Sequence, residues 1–122
     1  MKFRHMVVEF HGASWEGYII EEVLKLEKPD EAYFRATHQG AEIDLLMFKN
    51  RRKIGVEIKY TDAPTMTPSI RNALVDLQLD RMVVVVYPGE REYLLDDRVR
   101  VMPMTHLSGN RPSFFSVARS HG

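Results

Sequence analysis

The segment from Gly40 to Tyr60 constrains the fold more than any other part of the chain, because apolar and polar residues alternate along two stretches of it. A period of two is the pattern of a β-strand with one buried face. With Asn50-Arg51 as the turn between the two stretches, the segment predicts a β-hairpin. Its core face is predicted to carry three residues from each strand: Ile43, Leu45, Met47, Ile54, Val56 and Ile58.

The other face of this hairpin carries Asp44, Glu57 and Lys59. A two-residue turn sets Asp44 directly across from Glu57, and Glu42 across from Lys59, with roughly 5 Å between partner Cβ atoms. Two opposed carboxylates repel each other, whereas a divalent cation between them would be coordinated by both. Lys59 lies about 7 Å along the strand from Glu57, within reach of whatever the cation holds. An ordinary charged hairpin surface facing solvent is the alternative interpretation.

Length and composition predict one globular domain over residues 1–122. The chain has 122 residues, of which 44% are hydrophobic and 28% charged, as is usual for a globular protein. It contains no cysteine, which excludes disulfides, zinc-thiolate sites and thiol nucleophiles. No apolar run has the length of a membrane span, and no hydrophobic signal core follows Met1. The expected location is the cytoplasm.

The charges of the chain balance, with 17 Lys and Arg against 17 Asp and Glu. The chain therefore lacks the overall basic field of a typical nucleic-acid-binding protein, which argues against tight autonomous binding to DNA. A local cluster at the hairpin tip comprises Lys49, Arg51, Arg52 and Lys53. This cluster is either a solvated turn or a set of phosphate contacts.

An amphipathic pattern predicts a helix that begins after Ser14 as N-cap and ends near Lys28, before Pro29. On the helical wheel Glu16 falls on the inner face, between Ile20 and Val23. A buried acid needs a partner, which makes Glu16 the third candidate site residue. Alternatively, Glu16 is an acid near a helix N-terminus, where the helix dipole favours negative charge.

Further elements follow along the chain. A helix is predicted where Thr67 and Pro68 are typical N-cap and N1 residues, and residues 82–87 form an apolar run typical of a strand buried on both faces. Strand 53–60, helix 68–79 and strand 82–87 predict a βαβ unit with a right-handed crossover. The remaining predicted elements are an edge strand or arm at 6–10, a strand at 33–38, short strands at 93–95 and 99–102, and a tail without predicted structure at 105–122.

The order helix, three strands, helix, strand, with an acid on the first helix, an Asp on the second strand and Glu-x-Lys on the third, resembles the PD-(D/E)xK or restriction-endonuclease-like nuclease superfamily. More closely, four segments resemble the C-terminal domain of unknown function of a group of prokaryotic AAA-type ATPases. These segments are 12–23, 35–46, 54–59 and 79–89. The resemblance covers about residues 12–103 and implies an α/β fold. This fold has an αβββαβ core, a mixed sheet flanked by helices, and short extra C-terminal strands.

The resemblance also implies roles for individual residues. Glu16 matches the acid of the helix, Asp44 the metal-binding Asp, and Glu57 with Lys59 the Glu-x-Lys pair. The Pro of the superfamily motif is absent, and Ile43 stands in its place. The implied cofactor is Mg²⁺ or Mn²⁺, held by Asp44, Glu57 and the backbone carbonyl of Ile58.

Two functions follow as expectations. The first is a metal-dependent nuclease that hydrolyses phosphodiesters of DNA or RNA. The second is a non-catalytic interaction or regulatory module of nuclease-like fold, originally appended to an AAA-type ATPase. Its partner would be another chain, a second copy in a homodimer, or nucleic acid. Because Gly-x-x-x-x-Gly-Lys-Ser/Thr is absent, no ATP site is expected, and the chain is a stand-alone form or a fragment of a larger ATPase.

Overall fold

A computed structural model of the chain describes residues 15–116. The predicted strand at 6–10 and the predicted N-cap Ser14 lie outside these residues. The helices and strands of the described part follow one another in the order that the sequence predicts. The elements are α1 (Trp15–Glu27), β1 (Glu31–His38), β2 (Ala41–Lys49), β3 (Arg52–Lys59), α2 (Pro68–Asp76), β4 (Arg81–Val86), β5 (Tyr93–Asp96), β6 (Val99–Pro103) and a 3₁₀ helix (Met104–His106).

The six strands form one mixed sheet in the order β1-β2-β3-β4-β6-β5. The first three strands form an antiparallel meander, β4 pairs in parallel with both β3 and β6, and β5 returns antiparallel to β6. The α/β fold with a mixed sheet and short extra C-terminal strands is thus confirmed. The parallel pair β3 and β4 with α2 between them is the predicted βαβ unit, and the hand of its crossover stays a prediction.

Two apolar clusters fill the core. The first packs α1 against the sheet, and its members include Ile19, Val23, Leu45, Val56, Val83 and Val85. The second packs α2, and its members include Ile43, Leu46, Leu74, Met82, Val84 and Val86. Successive residues of β4 belong to alternate clusters, so this strand is buried on both faces, as its uninterrupted apolar sequence predicts.

The turn between β2 and β3 has the geometry that a two-residue hairpin needs. Asn50 and Arg51 have φ values of 53° and 67°. Positive φ at both central residues defines a type I′ turn, whose twist matches that of the flanking strands. Lys49 pairs with Arg52 directly beside the turn, and the ladder continues to Leu45 and Val56 in the predicted register.

The regular alternation of side chains breaks at Asp44. The β1–β2 ladder skips the pair of Arg35 with Asp44, and Arg35 has a φ of 56°. Leu45 packs in the first cluster, whereas Ile43, two residues earlier, packs in the second. The prediction that Ile43 shares a core face with Leu45 is therefore wrong, because a local backbone irregularity turns the strand over between them.

Local signals set both helices. Helix α1 ends at Glu27 before Pro29, as predicted, and Lys28 has a φ of 46°. Helix α2 begins after Thr67, whose Oγ1 accepts a hydrogen bond from the N–H of Ile70 at 3.1 Å. This cap satisfies one of the donors that every helix N-terminus leaves open. Neither described helix is long and apolar enough to cross a membrane.

The C-terminal segment, for which the sequence predicts no structure, contributes to the core. Phe114 and Phe115 pack in the first cluster. Glu27 is 2% exposed and accepts hydrogen bonds from the Ser113 hydroxyl at 2.6 Å and from the Phe114 N–H at 3.0 Å. A buried carboxylate at the end of α1 thereby holds this segment against the sheet.

Candidate metal and active site

Three of the four predicted site residues lie where β2 and β3 separate. Away from the turn, the β2–β3 ladder ends at the pair of Leu45 with Val56, and Asp44 is the neighbour of Leu45 beyond that end. Glu57 and Lys59 lie near the carboxyl end of β3. In open α/β sheets, ligands bind outside the carboxyl ends of the parallel strands. The fourth residue, Glu16, lies in the first turn of α1.

Asp44 is fixed by the backbone of the neighbouring strand. Its Oδ2 accepts a hydrogen bond from the N–H of Ile58 at 2.8 Å. Burial raises the pKa of Asp44, the Ile58 hydrogen bond opposes this, and the negative charge of Glu16 raises the pKa further. The structure therefore brings Glu16 and Asp44 within electrostatic range of each other.

Glu57 is the most perturbed acid of the site. Its pKa rises to about 7, first because the carboxyl is buried and second because the negative charge of Asp44 lies nearby; the positive charge of Lys59 acts in the opposite direction. Glu57 Oε1 is buried and has no hydrogen-bond partner among residues 15–116. Such an oxygen costs free energy unless a proton or a cation satisfies it.

Asp44 and Glu57 fit a divalent cation by their chemistry, since both are oxygen donors and one oxygen is unsatisfied. Within the described part of the chain, no group of three or more His, Cys, Asp or Glu side chains is arranged to hold a metal ion. A bound cation would accordingly have two side-chain carboxylates and would complete its shell with other oxygens. The Ile58 carbonyl as one of these oxygens stays a prediction.

Glu16 departs from the sequence expectation. It is exposed, and Gly17, Ile19 and Ile20 are the residues of that turn that face the core. The prediction of an inward-facing Glu16 is wrong, because helical periodicity does not specify how the first turn of α1 lies against the sheet, and Gly17 is the residue that is buried there. The charge of Glu16 still acts on Asp44, and its role in catalysis stays a prediction.

An aromatic cluster adjoins the site and was missed by sequence reasoning. Tyr60 and Tyr87 stack with ring centroids 5.6 Å apart and an interplanar angle of 17°, and Trp15 packs against both rings. Tyr60 is 74% exposed. The signal was available, because each tyrosine directly follows one of two adjacent parallel strands and Trp15 directly precedes Glu16.

The basic cluster at the hairpin tip is partly structural. Lys49 Nζ donates to the carbonyl of Glu27 at 2.7 Å, and Lys53 Nζ donates to the carbonyl of Leu77 at 2.9 Å. These two lysines connect the hairpin to the ends of both helices. Arg51 is exposed at the turn itself.

Comparison with known proteins identifies the family. Residues 11–107 match a family described as "Domain of unknown function (DUF4143)". The chain belongs to this family. Uncharacterized proteins of Mycobacterium bovis and Mycobacterium tuberculosis are each 46% identical to it over 92 residues.

The matched region covers 75% of this chain but 21% of each mycobacterial protein, so the DUF4143 chain spans about a fifth of the length of these relatives. No solved structure matches. Family membership thus agrees with the predicted resemblance to a domain of unknown function, and it assigns no activity.

Proposed function

We propose that this DUF4143 domain is a metal-dependent phosphodiesterase that acts on DNA or RNA. The observation that carries the proposal is Glu57, whose buried Oε1 is unsatisfied and whose pKa is raised to about 7 beside Asp44. If Glu57 had only a structural role, its buried oxygen would be expected to accept a hydrogen bond from a donor group. A divalent cation bound between two neighbouring carboxylates would balance their negative charge and would provide a partner for the unpaired oxygen.

The four candidate residues would take three roles in this proposal. Asp44 and Glu57 would hold Mg²⁺ or Mn²⁺, which when bound would neutralise charge on a phosphodiester and promote ionisation of water. Lys59, two residues beyond Glu57, would donate to the phosphate and stabilise negative charge that develops during cleavage. Exposed Glu16, whose charge acts on Asp44, would orient an attacking water.

The order of the elements supports the proposal independently of the acids. Helix α1, strands β1 to β3, helix α2 and strand β4 follow one another as in the αβββαβ core of restriction-endonuclease-like nucleases. The candidate residues lie on the same elements as the motif residues of that superfamily: the first helix, the second strand and the third strand.

The test is a cleavage assay on DNA and RNA with Mg²⁺ or Mn²⁺. We expect Asp44→Asn to abolish cleavage, because a neutral amide cannot replace the carboxylate in binding the cation. Asp97→Asn is the matched control, since it makes the same substitution at an exposed acid in the turn between β5 and β6 and should leave cleavage within about twofold of the original. Full cleavage by the Asp44→Asn protein would refute the assignment.

A thermal shift titration tests cation binding without reference to catalysis. A cation that binds only the folded chain raises the melting temperature, so Mn²⁺ at about 1 mM should stabilise the original protein. The shift should disappear in Glu57→Gln and persist in Asp97→Asn. Absence of any shift at millimolar Mn²⁺ and Mg²⁺ would contradict the metal site.

One observation favours the second function, a non-catalytic interaction or regulatory module. The bond from the Ile58 N–H to Asp44 links β3 to β2 just beyond their ladder, so this acid also has a structural use. In that case the domain would contact a partner chain, a second copy or nucleic acid within a larger ATPase. It would show neither Mn²⁺ stabilisation nor cleavage.

A further inference from the structure

A second polar site lies at the amino end of β4, away from the acids at the carboxyl end of β3. It is a cleft of about 580 Å³ between β4, β6 and the C-terminal segment. Its size suits a small molecule. The charged side chains of its lining are Arg81, Arg100, Arg111, His106 and Glu92. The described lining therefore carries three guanidinium groups and an imidazole against one carboxylate.

The cations converge on Glu92. Arg111 Nη1 lies 2.8 Å and His106 Nδ1 lies 3.1 Å from Glu92 Oε2, while Arg100 Nη1 lies 3.5 Å from Glu92 Oε1. The fourth group, Arg81, donates to the backbone carbonyls of Phe114 and Ser116 on the same wall of the cleft. One carboxylate thus lies within hydrogen-bond or ion-pair distance of two guanidinium groups and one imidazole.

This cluster is more enclosed than an ordinary surface ion pair. The side chain of Arg111 is 15% exposed and that of Glu92 is 25% exposed, and the Arg111 guanidinium lies 5.6 Å from the centroid of the Phe114 ring. Burial acts to raise the pKa of Glu92, but hydrogen bonds from Arg111 and His106, together with the positive charges of Arg111 and Arg100, outweigh it and lower the pKa. The cations therefore provide strong stabilisation for an anion at this position.

We infer that this cleft binds a phosphate group, either as the free anion or as part of a small monoester, with Arg100, Arg111 and His106 as its donors. A guanidinium fork matches phosphate oxygens as well as it matches a carboxylate, and a phosphate dianion carries more charge than Glu92 does. The three arginines of the lining outnumber its single carboxylate, so their positive charge balances the additional negative charge of a phosphate. Glu92 lies in the position of the ligand anion and acts as an internal competitor.

A purely structural network is the competing explanation, in which Glu92 only anchors the C-terminal segment through Arg111. The two explanations differ in whether the original protein binds phosphate. If the network is structural, Glu92 keeps the donors occupied and the original protein shows no saturable phosphate binding. If the cleft is a phosphate site, the original protein binds phosphate, and Glu92→Gln tightens that binding because it removes the competing charge.

The experiment is isothermal titration calorimetry of the full chain near neutral pH in low salt, with inorganic phosphate and with adenosine monophosphate as probes. We expect saturable binding that Arg111→Gln weakens about tenfold and Glu92→Gln strengthens by about the same factor. Arg71→Gln is the matched control, since Arg71 also forms an ion pair, with Asp96 at 3.7 Å, but does not line the cleft. Tighter binding of the monophosphate than of phosphate identifies an ester as the ligand, and equal binding identifies the free anion.

Two results would overturn the inference. One is the absence of saturable binding of either probe to the original protein at about 10 mM probe, a concentration about tenfold above a millimolar dissociation constant. The other is binding that Arg111→Gln and Arg71→Gln weaken equally, which would indicate general charge attraction. Neither result depends on Asp44 or Glu57, so the inference and the proposed nuclease function can fail separately.

Discussion

Two features of its surroundings disfavour the charged form of Glu57. Its carboxyl is partly buried, which disfavours the charged form, and a second acid, Asp44, is close enough to disfavour it further. The group therefore tends to take up a positive charge near neutral pH, either as a proton or as a cation. This competition links the stability of the fold to the state of the site.

The stability of the metal-free protein should fall as the pH rises from 5 to 8. The folded-state pKa of Glu57 is raised from near 4.5 to about 7, so the folded state holds the proton more tightly than the unfolded state does, and that advantage is lost on deprotonation. A shift of this size corresponds to roughly 3 kcal/mol, which partial exposure reduces to about 2 kcal/mol.

Urea denaturation at several pH values measures this loss, and Glu57→Gln provides the comparison because glutamine does not titrate. We expect the two proteins to differ in pH dependence by about 2 kcal/mol over this range. Parallel stability curves for the two proteins would contradict the raised pKa.

Residue-scale predictions from sequence succeeded where one local rule acts alone. Asn50 tolerates a left-handed conformation, and Thr67 caps a helix whatever the rest of the chain does. The orientation of Glu16 was not determined in this way. It depends on how the first turn of α1 lies against the sheet, which the periodicity of the helix does not specify.

At the scale of elements, the attachment of the C-terminal segment depends on contacts between distant parts of the sequence. Glu27 is the last residue of α1. The hydrogen-bond partners of its carboxyl group, Ser113 and Phe114, lie 86 and 87 residues further along the chain. Sequence reasoning had no signal for this contact, because Glu27 in the last turn of a helix looks like a solvent-facing residue. The polar composition after residue 105 likewise concealed Phe114 and Phe115 as core residues.

Glu27→Ala should destabilise the fold by about 3 kcal/mol, because it leaves a buried N–H and a hydroxyl without an acceptor. Ser113→Ala should cost about 2 kcal/mol, because it removes the hydrogen bond to Glu27 and also the one that the Phe115 N–H donates to the Ser113 hydroxyl. Chemical denaturation of both variants and of the double variant measures the coupling between the two residues.

Because the residues share this bond, the double variant should lose less stability than the sum of the single variants. Glu21→Ala, in the same helix but away from Ser113, is the control and should change stability by less than about 0.5 kcal/mol. Additive losses for Glu27 and Ser113 would show that the bond does not form in solution.

Over the whole molecule, the sheet is covered on both faces, and β4 lies at its centre. Helix α1 covers one face and α2 the other, and five consecutive residues of β4 from Met82 to Val86 are buried. The sequence revealed this arrangement through an apolar run that no half-exposed strand would contain. The fold class was therefore predictable, whereas the change of face at Asp44 was not, because alternation describes a strand only while its backbone stays regular.

The amides of β4 should exchange with solvent more slowly than those of any other strand. Parallel partners flank β4 on both sides, so these amides exchange only when the whole domain unfolds. Hydrogen exchange followed by NMR or mass spectrometry provides the measurement. Edge strand β5 serves as the internal reference, and equal exchange rates in β4 and β5 would contradict this view of the core.

The early end of the β2–β3 ladder has an evolutionary consequence. Pairing between β2 and β3 stops at Leu45 and Val56, so the side chains of Asp44 and Glu57 are not constrained as a cross-strand pair, although Glu57 stays paired with Val84 of β4. Single substitutions at these two positions can add or remove a charged site while the strands keep their partners. Descendants of one ancestral domain could thereby gain or lose the site in one or two mutational steps and retain the same fold.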